Sequence, residues 1–442
     1  MRTRLLVPAF AVSIVMLAAG CGSKSKTPDT TAAAAVDTTT PADTTATVAT
    51  KTPAAAGAET TVAAGAATSL AASGAETTVA ASTTAAAAAS AATGTGPGLG
   101  SKKVGFIFVG PKDDYGYSQA AYEGSQAVKA KHPELEIVTA ENVPEDDNAT
   151  RVMEKMISDG AKVIFATSYG HLDPALKVAA AHPDVVVVQQ GNFIKGTVPL
   201  NSGTYFGTVY EPVFLAGIAA GKATKSNKLG YVYAFPIPQT IANINAFELG
   251  AQSVNPAAQT YVVNTSAWCD PAKQAEAAKS LFAQGVDVIT QHQDCTATIT
   301  KAAEEAGKMV VGYHADASAL APKGWITGSE WSWGAMYNDI VETAIAGKFT
   351  GSKYNANYRV GYKDGANPFV QSKFGPGVDD ATKKLIAEAK TAISSPDGSP
   401  FKGPIMAQDG SEMFAAGVPD YASVESKNTV FVKGVVGAIP KG

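Results

Sequence analysis

The sequence predicts an α/β protein built as two doubly wound parallel-sheet lobes facing each other across a central cleft. Three observations lead there. From Lys102 onward, short apolar runs alternate with amphipathic stretches, the texture of parallel strands covered by helices on both faces. That part of the chain, roughly 340 residues, exceeds a single comfortable core. The stretch Trp268 to Cys295, WCDPAKQAEAAKSLFAQGVDVITQHQDC, reads as one complete turn–helix–strand unit. Asp270 stands at the N-cap position, Pro271 at the first helical position, and Gly285 at the C′ stop. Ala275, Ala278, Leu281 and Phe282 share one helical face. Val286 to Thr290 is a strand apolar enough to be buried on both sides. Trp268 and Asp294 then lie just outside two strand ends, where open α/β sheets bind ligands.

The chain in order supports this organisation. Residues 1–20 carry Arg2 and Arg4, an apolar run and small residues before Cys21, the pattern of a secretory signal rather than a spanning helix. The ending L-A-A-G-C resembles a bacterial lipobox, in which Cys21 is lipidated and becomes the new N-terminus; the alternative is an ordinary signal with an incidental cysteine. Residues 21–101 are mostly Ala and Thr and include GAETTVAA twice, at 57–64 and 74–81. With no aromatic residues they cannot build a core, and they read as a disordered tether.

The substrate-binding part then spans 102–442. Strands are expected at 103–109, 135–139, 162–166, 185–189, 229–234, 286–290, 309–313 and 325–328. Helices are expected up to about Lys131, and at 148–158, 173–181, 211–221, 239–253 and 298–306. The glycine- and lysine-rich segment after Gly221 is the expected first crossing between lobes. Lobe 1 is then about 102–222 plus about 325–355. Lobe 2 is about 223–324 plus about 356–442.

Composition narrows the chemistry. The formal net charge of −4 offers no basic patch for nucleic acid. The chain contains no H-E-x-x-H, C-x-x-C, phosphate-loop or G-x-S-x-G motif, so no enzyme activity, metal or cofactor is expected. The run Glu145-Asp146-Asp147 reads as a solvated helix start.

Several blocks carry a family resemblance: DDYGYSQAAYEG (113–124), ATSYGHLDP (166–174), KLGYVYAFPIPQTIANINAFELGAQSVNP (228–256), KGPIMAQDGS (402–411) and GVVGAIP (434–440), together with the opening unit. They resemble the BMP family, the PnrA-like substrate-binding lipoproteins of ABC importers. The resemblance implies a type I periplasmic-binding-protein fold, an ABC permease as partner, a lipid-anchored place on the extracytoplasmic face of the cell membrane, and a purine base or nucleoside as ligand. It also implies that an aromatic residue of the first βα loop and one just before the D-P helix start sandwich the base. Here these match Tyr117 and Trp268. Tyr169, in a further loop of the first lobe, is a third candidate plane. A flat π-system also needs polar partners at its edge, and Asp294, Asn245 and Asp316 are the candidates, with His314 beside the last.

Two departures weigh on the ligand. Nucleoside-binding relatives commonly carry F-N-Q where this chain has Tyr117-Ser118-Gln119. They tend to carry a Lys where this chain reads SEWSW (329–333). Both shift the expectation toward a free base or another flat ligand, with Trp333 the favoured cleft residue of the two tryptophans. With Cys21 lipidated, Cys269 and Cys295 remain. Both fall past the ends of strands that should be neighbours in an exported protein, which predicts a disulfide; the alternative is two buried thiols. Other readings stay open: a binding protein for another small solute such as a sugar, or a ligand-sensing surface lipoprotein without a permease.

Overall fold

The computed structural model describes residues 95–440. The signal segment, Cys21 and the tether up to residue 94 lie outside the described residues. The first lobe opens with β1 (Lys103–Ile107), α1 (Tyr117–Lys131), β2 (Glu136–Ala140), α2 (Asp147–Ser158), β3 (Val163–Ala166), α3 (Leu172–Ala181), β4 (Val186–Gln190) and β5 (Ser202–Gly207). The chain then enters the second lobe through α4 (Tyr210–Ala223). There follow β6 (Lys228–Tyr233), α5 (Pro238–Gln252), β7 (Gln259–Asn264), α6 (Pro271–Ala283), β8 (Val288–His292), α7 (Ala297–Glu305), β9 (Met309–His314) and β10 (Trp325–Trp331). It returns to the first lobe for α8 (Gly334–Ile345) and β11 (Asn357–Val360). It ends in the second with β12 (Phe369–Gln371), α9 (Asp380–Ile393), the hairpin β13 (Gly403–Met406) and β14 (Glu412–Gly417), α10 (Tyr421–Lys427) and β15 (Val435–Val436).

The first sheet has the order β11-β5-β4-β3-β1-β2 and is wholly parallel. The second has the order β12-β10-β9-β8-β6-β7-β15, and only β12 runs antiparallel, against β10. The central strands β3, β4 and β8 are buried at every position, as their apolar runs require. This is the doubly wound two-lobe architecture the alternation predicts.

Three expected lobe boundaries differ from the structure. The first crossing falls before α4, not after Gly221. Gly217 and Gly221 are not linker glycines: a Cβ at Gly217 would stand 2.2 Å from the Phe247 carbonyl oxygen, and one at Gly221 would stand 2.6 Å from that of Ala251. Their bareness lets α4 lie directly on α5, inside the second lobe. Likewise, residues 325–331 belong to the second sheet, as β10, and the chain crosses back only at Ser332–Trp333. β11, expected in the second lobe, is the edge strand of the first sheet.

The three crossings are laced together. Glu211, at the first, accepts from the Tyr362 amide (2.7 Å) and the Asn367 side chain (2.9 Å) of the third. Asn367 also donates to the Thr208 carbonyl, and the Ser332 amide of the second crossing donates to the Pro368 carbonyl. Burial pushes Glu211 up to about 7.

Candidate functional site

Every loop at the cleft springs from the carboxyl end of a parallel strand, the place where open α/β sheets present ligand sites. A small cavity of about 30 Å³ lies between the lobes. Tyr117, Ser168, Tyr169 and Gly191 line it from the first lobe. Ile237, Gln239, Trp268, His292, Asp294 and His314 line it from the second. Its volume gives room for about one or two waters, far below the roughly 300–1,000 Å³ typical of small-molecule sites, so the lobes must part to take in a ligand.

The first-lobe wall is fixed by carboxylates that serve backbone amides. Asp114 accepts from the amides of Gly116 (2.7 Å), Ser118 (3.2 Å) and Gln119 (3.0 Å), so it caps α1 from three residues upstream and sets Tyr117 at the helix start. Glu145 accepts from the Ser168 hydroxyl (2.6 Å) and the Gly170 amide (2.8 Å), which holds the Tyr169 loop. The same carboxylate takes the indole N–H of Trp268 from the opposite lobe at 3.3 Å. Glu145 therefore bridges the cleft while staying exposed, and the run it opens is the solvated helix start its charges suggest, with the Asp146 side chain accepting from the Asn148 amide to cap α2.

The second-lobe wall is stapled. Cys269 and Cys295 form a disulfide with a Cα separation of 5.4 Å. The Asp294 amide donates to the Trp268 carbonyl at 2.8 Å beside it, so the two loops move as one. Trp268 packs edge-to-face on Phe235, at 4.9 Å between ring centroids, and lies 6.2 Å from the His292 ring. The lobes touch here. The Thr296 hydroxyl donates to the Tyr115 carbonyl, and a Cβ on Gly116 would come within 3.2 Å of the Cys295 nitrogen. A side chain at Gly116 would push the two lobes apart by a few tenths of an ångström. Four of the six non-glycine residues in the left-handed region among the described residues sit on these strand-end loops: Tyr115, Ser266, Cys295 and His314. Such strain persists where the surroundings over-determine a loop, and it clusters at ligand clamps.

The electrostatics are lopsided. Among the ten lining residues none is Lys or Arg. Asp294 is buried, and no hydrogen bond from another described residue reaches its carboxylate. Burial, then Asp114 and Glu145, push it well above the usual carboxylate range. Burial also raises Asp114, against the pull of its three amides. Burial drives His292 down to about 3 and holds His314 well below its ordinary value, so both imidazoles are neutral. The site thus offers aromatic faces, a carboxylate short of donors, and neutral imidazole and amide groups.

Of the residues singled out in the sequence, Tyr117, Tyr169, Trp268 and Asp294 come together at this cavity. Asn245 does not. Its side chain donates to Asn428 (2.8 Å) and the Val430 carbonyl (2.9 Å) and accepts from the Val432 amide (2.9 Å), anchoring the C-terminal segment on α5. Asp316 is not at the cavity either. It accepts from the Ser318 amide and pairs with Lys373 at 2.8 Å on the rim of β12. Trp333 is buried in the first lobe, stacked on Trp331 (4.2 Å) and Tyr337 (5.5 Å), because the chain has already crossed when it is reached. Trp331 stands behind the lining, against Tyr117 and His314. Sequence reasoning missed Gln239, His292, Ser168, Gly191 and Ile237. Gln239 directly follows the Pro238 that opens α5, and His292 ends β8, so both had a strand-end or helix-start position as a signal.

The family described as Bmp, ABC transporter substrate-binding protein PnrA-like, matches residues 101–395. The chain belongs to that family. Its members are substrate-binding proteins that act outside the cytoplasm with ABC transporter permeases. The chain is 37% identical over 319 residues to a purine-binding protein of Brucella abortus, covering 71% of this chain and 87% of that one. It is 32% identical over 337 residues to a candidate ABC transporter glucose-binding protein, TsgA13, of Haloferax volcanii, covering 74% and 83%. Among solved structures, an ABC transporter solute-binding protein from Aeropyrum pernix superposes with a TM-score of 0.57 at 17% identity, covering 74% of this chain and 98% of that one. That likeness supports the fold alone.

Proposed function

We propose that this Bmp-family protein captures a purine base or nucleoside in the cleft and presents it to an ABC importer, with the free base preferred. One observation carries the reading. The cavity is walled by Tyr117 and Tyr169 on one lobe and Trp268 on the other, with the donor-poor carboxylate of Asp294 at its edge. Aromatic faces suit a flat ring, and a carboxylate in a dry site demands N–H donors. The purine-binding relative supports the same ligand class. Ligand holds the closed form by the contacts it makes to both lobes at once, and the permease reads that form. Tethering through lipidated Cys21 at the outer face of the membrane belongs to the same proposal, and mass spectrometry of the mature N-terminus tests it. Among the described residues, no helix is long and apolar enough to cross a membrane.

The glucose-binding relative favours a sugar as the second reading. Sugar sites surround hydroxyls with charged and amide groups, and here Arg359 is spent on the Asn192 carbonyl (2.7 Å) and the Phe193 ring. A thermal-shift panel of adenine, hypoxanthine, adenosine, inosine and glucose decides. Ligand at 100 times its Kd adds about 2.7 kcal/mol of stability. A shift with glucose and none with any purine overturns the proposal.

A further inference from the structure

His314 ends β9 beside Asp294, and its ring is fixed by a neighbour that leaves it no choice of tautomer. The Trp331 indole nitrogen lies 2.9 Å from His314 Nδ1. An indole N–H only donates, so Nδ1 must accept and the ring proton sits on Nε2. That nitrogen faces Asp294 Oδ1 at 3.6 Å. The Asp294 main chain is independently held, its amide on the Trp268 carbonyl and its carbonyl on the Gln274 side chain at 2.7 Å. The carboxylate is therefore placed with a single donor near it, the His314 ring, which itself packs 5.0 Å from the Tyr117 ring in the cavity wall.

We propose that His314, oriented by Trp331, is the positioning residue that keeps Asp294 an acceptor toward the cavity, and that the cleft therefore selects a flat heterocycle whose edge presents N–H donors and carries no negative charge. The inference rests on the cleft being the ligand site. Nothing else in the wall competes for the role. Glu145 is occupied by Ser168, Gly170 and Trp268, and Asp114 by three amides. His292 takes the Asn243 amide at Nδ1 (3.2 Å), and its neutral ring supplies no countercharge. With no Lys or Arg in the lining, an anionic ring would meet Asp294, Asp114 and Glu145 uncompensated. An amino-substituted purine satisfies Asp294; an oxo group at the same edge sets acceptor against acceptor, the kind of mismatch buried sites reject strongly.

The titratable groups around His314 are Asp294, His292 and Tyr313 of its own lobe, Glu330 opposite it on β10, and Tyr117 of the other lobe. Two measurements on the full chain test the proposal. In the first, ¹⁵N spectra of labelled histidine should show His314 protonated at Nε2 only and not titrating between about pH 5 and 8. Trp331→Phe should release Nδ1 and let the Nδ1-protonated tautomer appear in the same spectra, while burial still keeps the ring neutral. A proton on Nδ1 in the wild type overturns the arrangement, whether or not any ligand binds. In the second, adenine and hypoxanthine are titrated into the wild type, His314→Gln and His314→Leu. Adenine should be favoured about tenfold or more in the wild type and in His314→Gln, which keeps an N–H near Nε2. His314→Leu should lose that ratio while both ligands still bind. Equal loss of both ligands in the two variants marks a merely structural histidine and overturns the role. If the wild type binds no purine at all, the ligand reading falls, and the tautomer alone decides the Trp331–His314–Asp294 relay.

Discussion

Asp114 and Asp294 stand close together across the closed cleft, one from each lobe, and burial raises both. Their surroundings are opposite. Asp114 spends its two oxygens on three backbone amides, while Asp294 has only His314 at 3.6 Å. A buried carboxylate saturated by its own loop is architecture. One left short of donors holds binding capacity in reserve, at a cost to the empty protein. The two lobe walls follow the same division. The first is ordered by carboxylates that answer amides; the second is ordered by a disulfide and leaves its carboxylate free for a ligand.

The largest expected effect separates the two aspartates. Asp294→Asn should weaken purine binding by about a hundredfold while leaving the melting temperature unchanged or higher, because the buried charge is removed. Asp114→Ala should instead cost about 2–3 kcal/mol of stability, since three amides lose their acceptor. Calorimetric titration and denaturant melts on both variants check this, and an exchange of the two phenotypes would break the comparison. Next in size is the staple. Replacing Cys269 and Cys295 together by Ser opens a link between positions 26 residues apart and should lower stability by about 3 kcal/mol in denaturant melts. The first-lobe wall has no such cross-link, so reductant should loosen the Trp268 loop and not the Tyr169 loop in hydrogen exchange.

A smaller effect is the pH dependence of the empty protein. Asp294 has a folded value above its unfolded one near 3.9. Its contribution is thus full below about pH 4 and is lost as pH rises through the raised value. His292, at about 3 against roughly 6.5 unfolded, acts in the other direction: its contribution is present above about 6.5 and is lost as pH falls toward 3. The melting temperature of the wild type minus that of Asp294→Asn should therefore fall as pH rises from about 4. A rise would show that Asp294 is already paired. Smallest of all, Asp316→Asn should change stability by less than about 1 kcal/mol, because its pair with Lys373 is at the surface, and should leave binding alone. Asn245→Ala should also spare binding, but it should free the C-terminal segment, read as faster exchange at Val432.

The sequence by itself determined what is local. Alternating apolar runs located most strands and helices to within a few residues. Asp270, Pro271 and Gly285 bounded α6 correctly to within two residues, with the Asp270 side chain accepting from the Lys273 amide at 3.1 Å. Trp268 and Asp294 were placed by one rule, that strand carboxyl ends face the cleft; the cysteines pair as expected, though the strands before them, β7 and β8, are not neighbours but flank β6. The tertiary structure alone decided what each buried face is buried against. α5 is buried on nearly every side, so no stripe could say that Asn245 turns toward residues 428–432 and not toward the cavity. Gly217 and Gly221 look like a linker until α5 is laid on them, and Trp331 and Trp333 differ only by which side of a crossing they fall on. His314 and Glu145 acquire their roles from partners 17 and 123 residues away. Periodicity reports that a side chain leaves water; strand order and the crossings between lobes, which no local pattern encodes, choose the neighbour it meets.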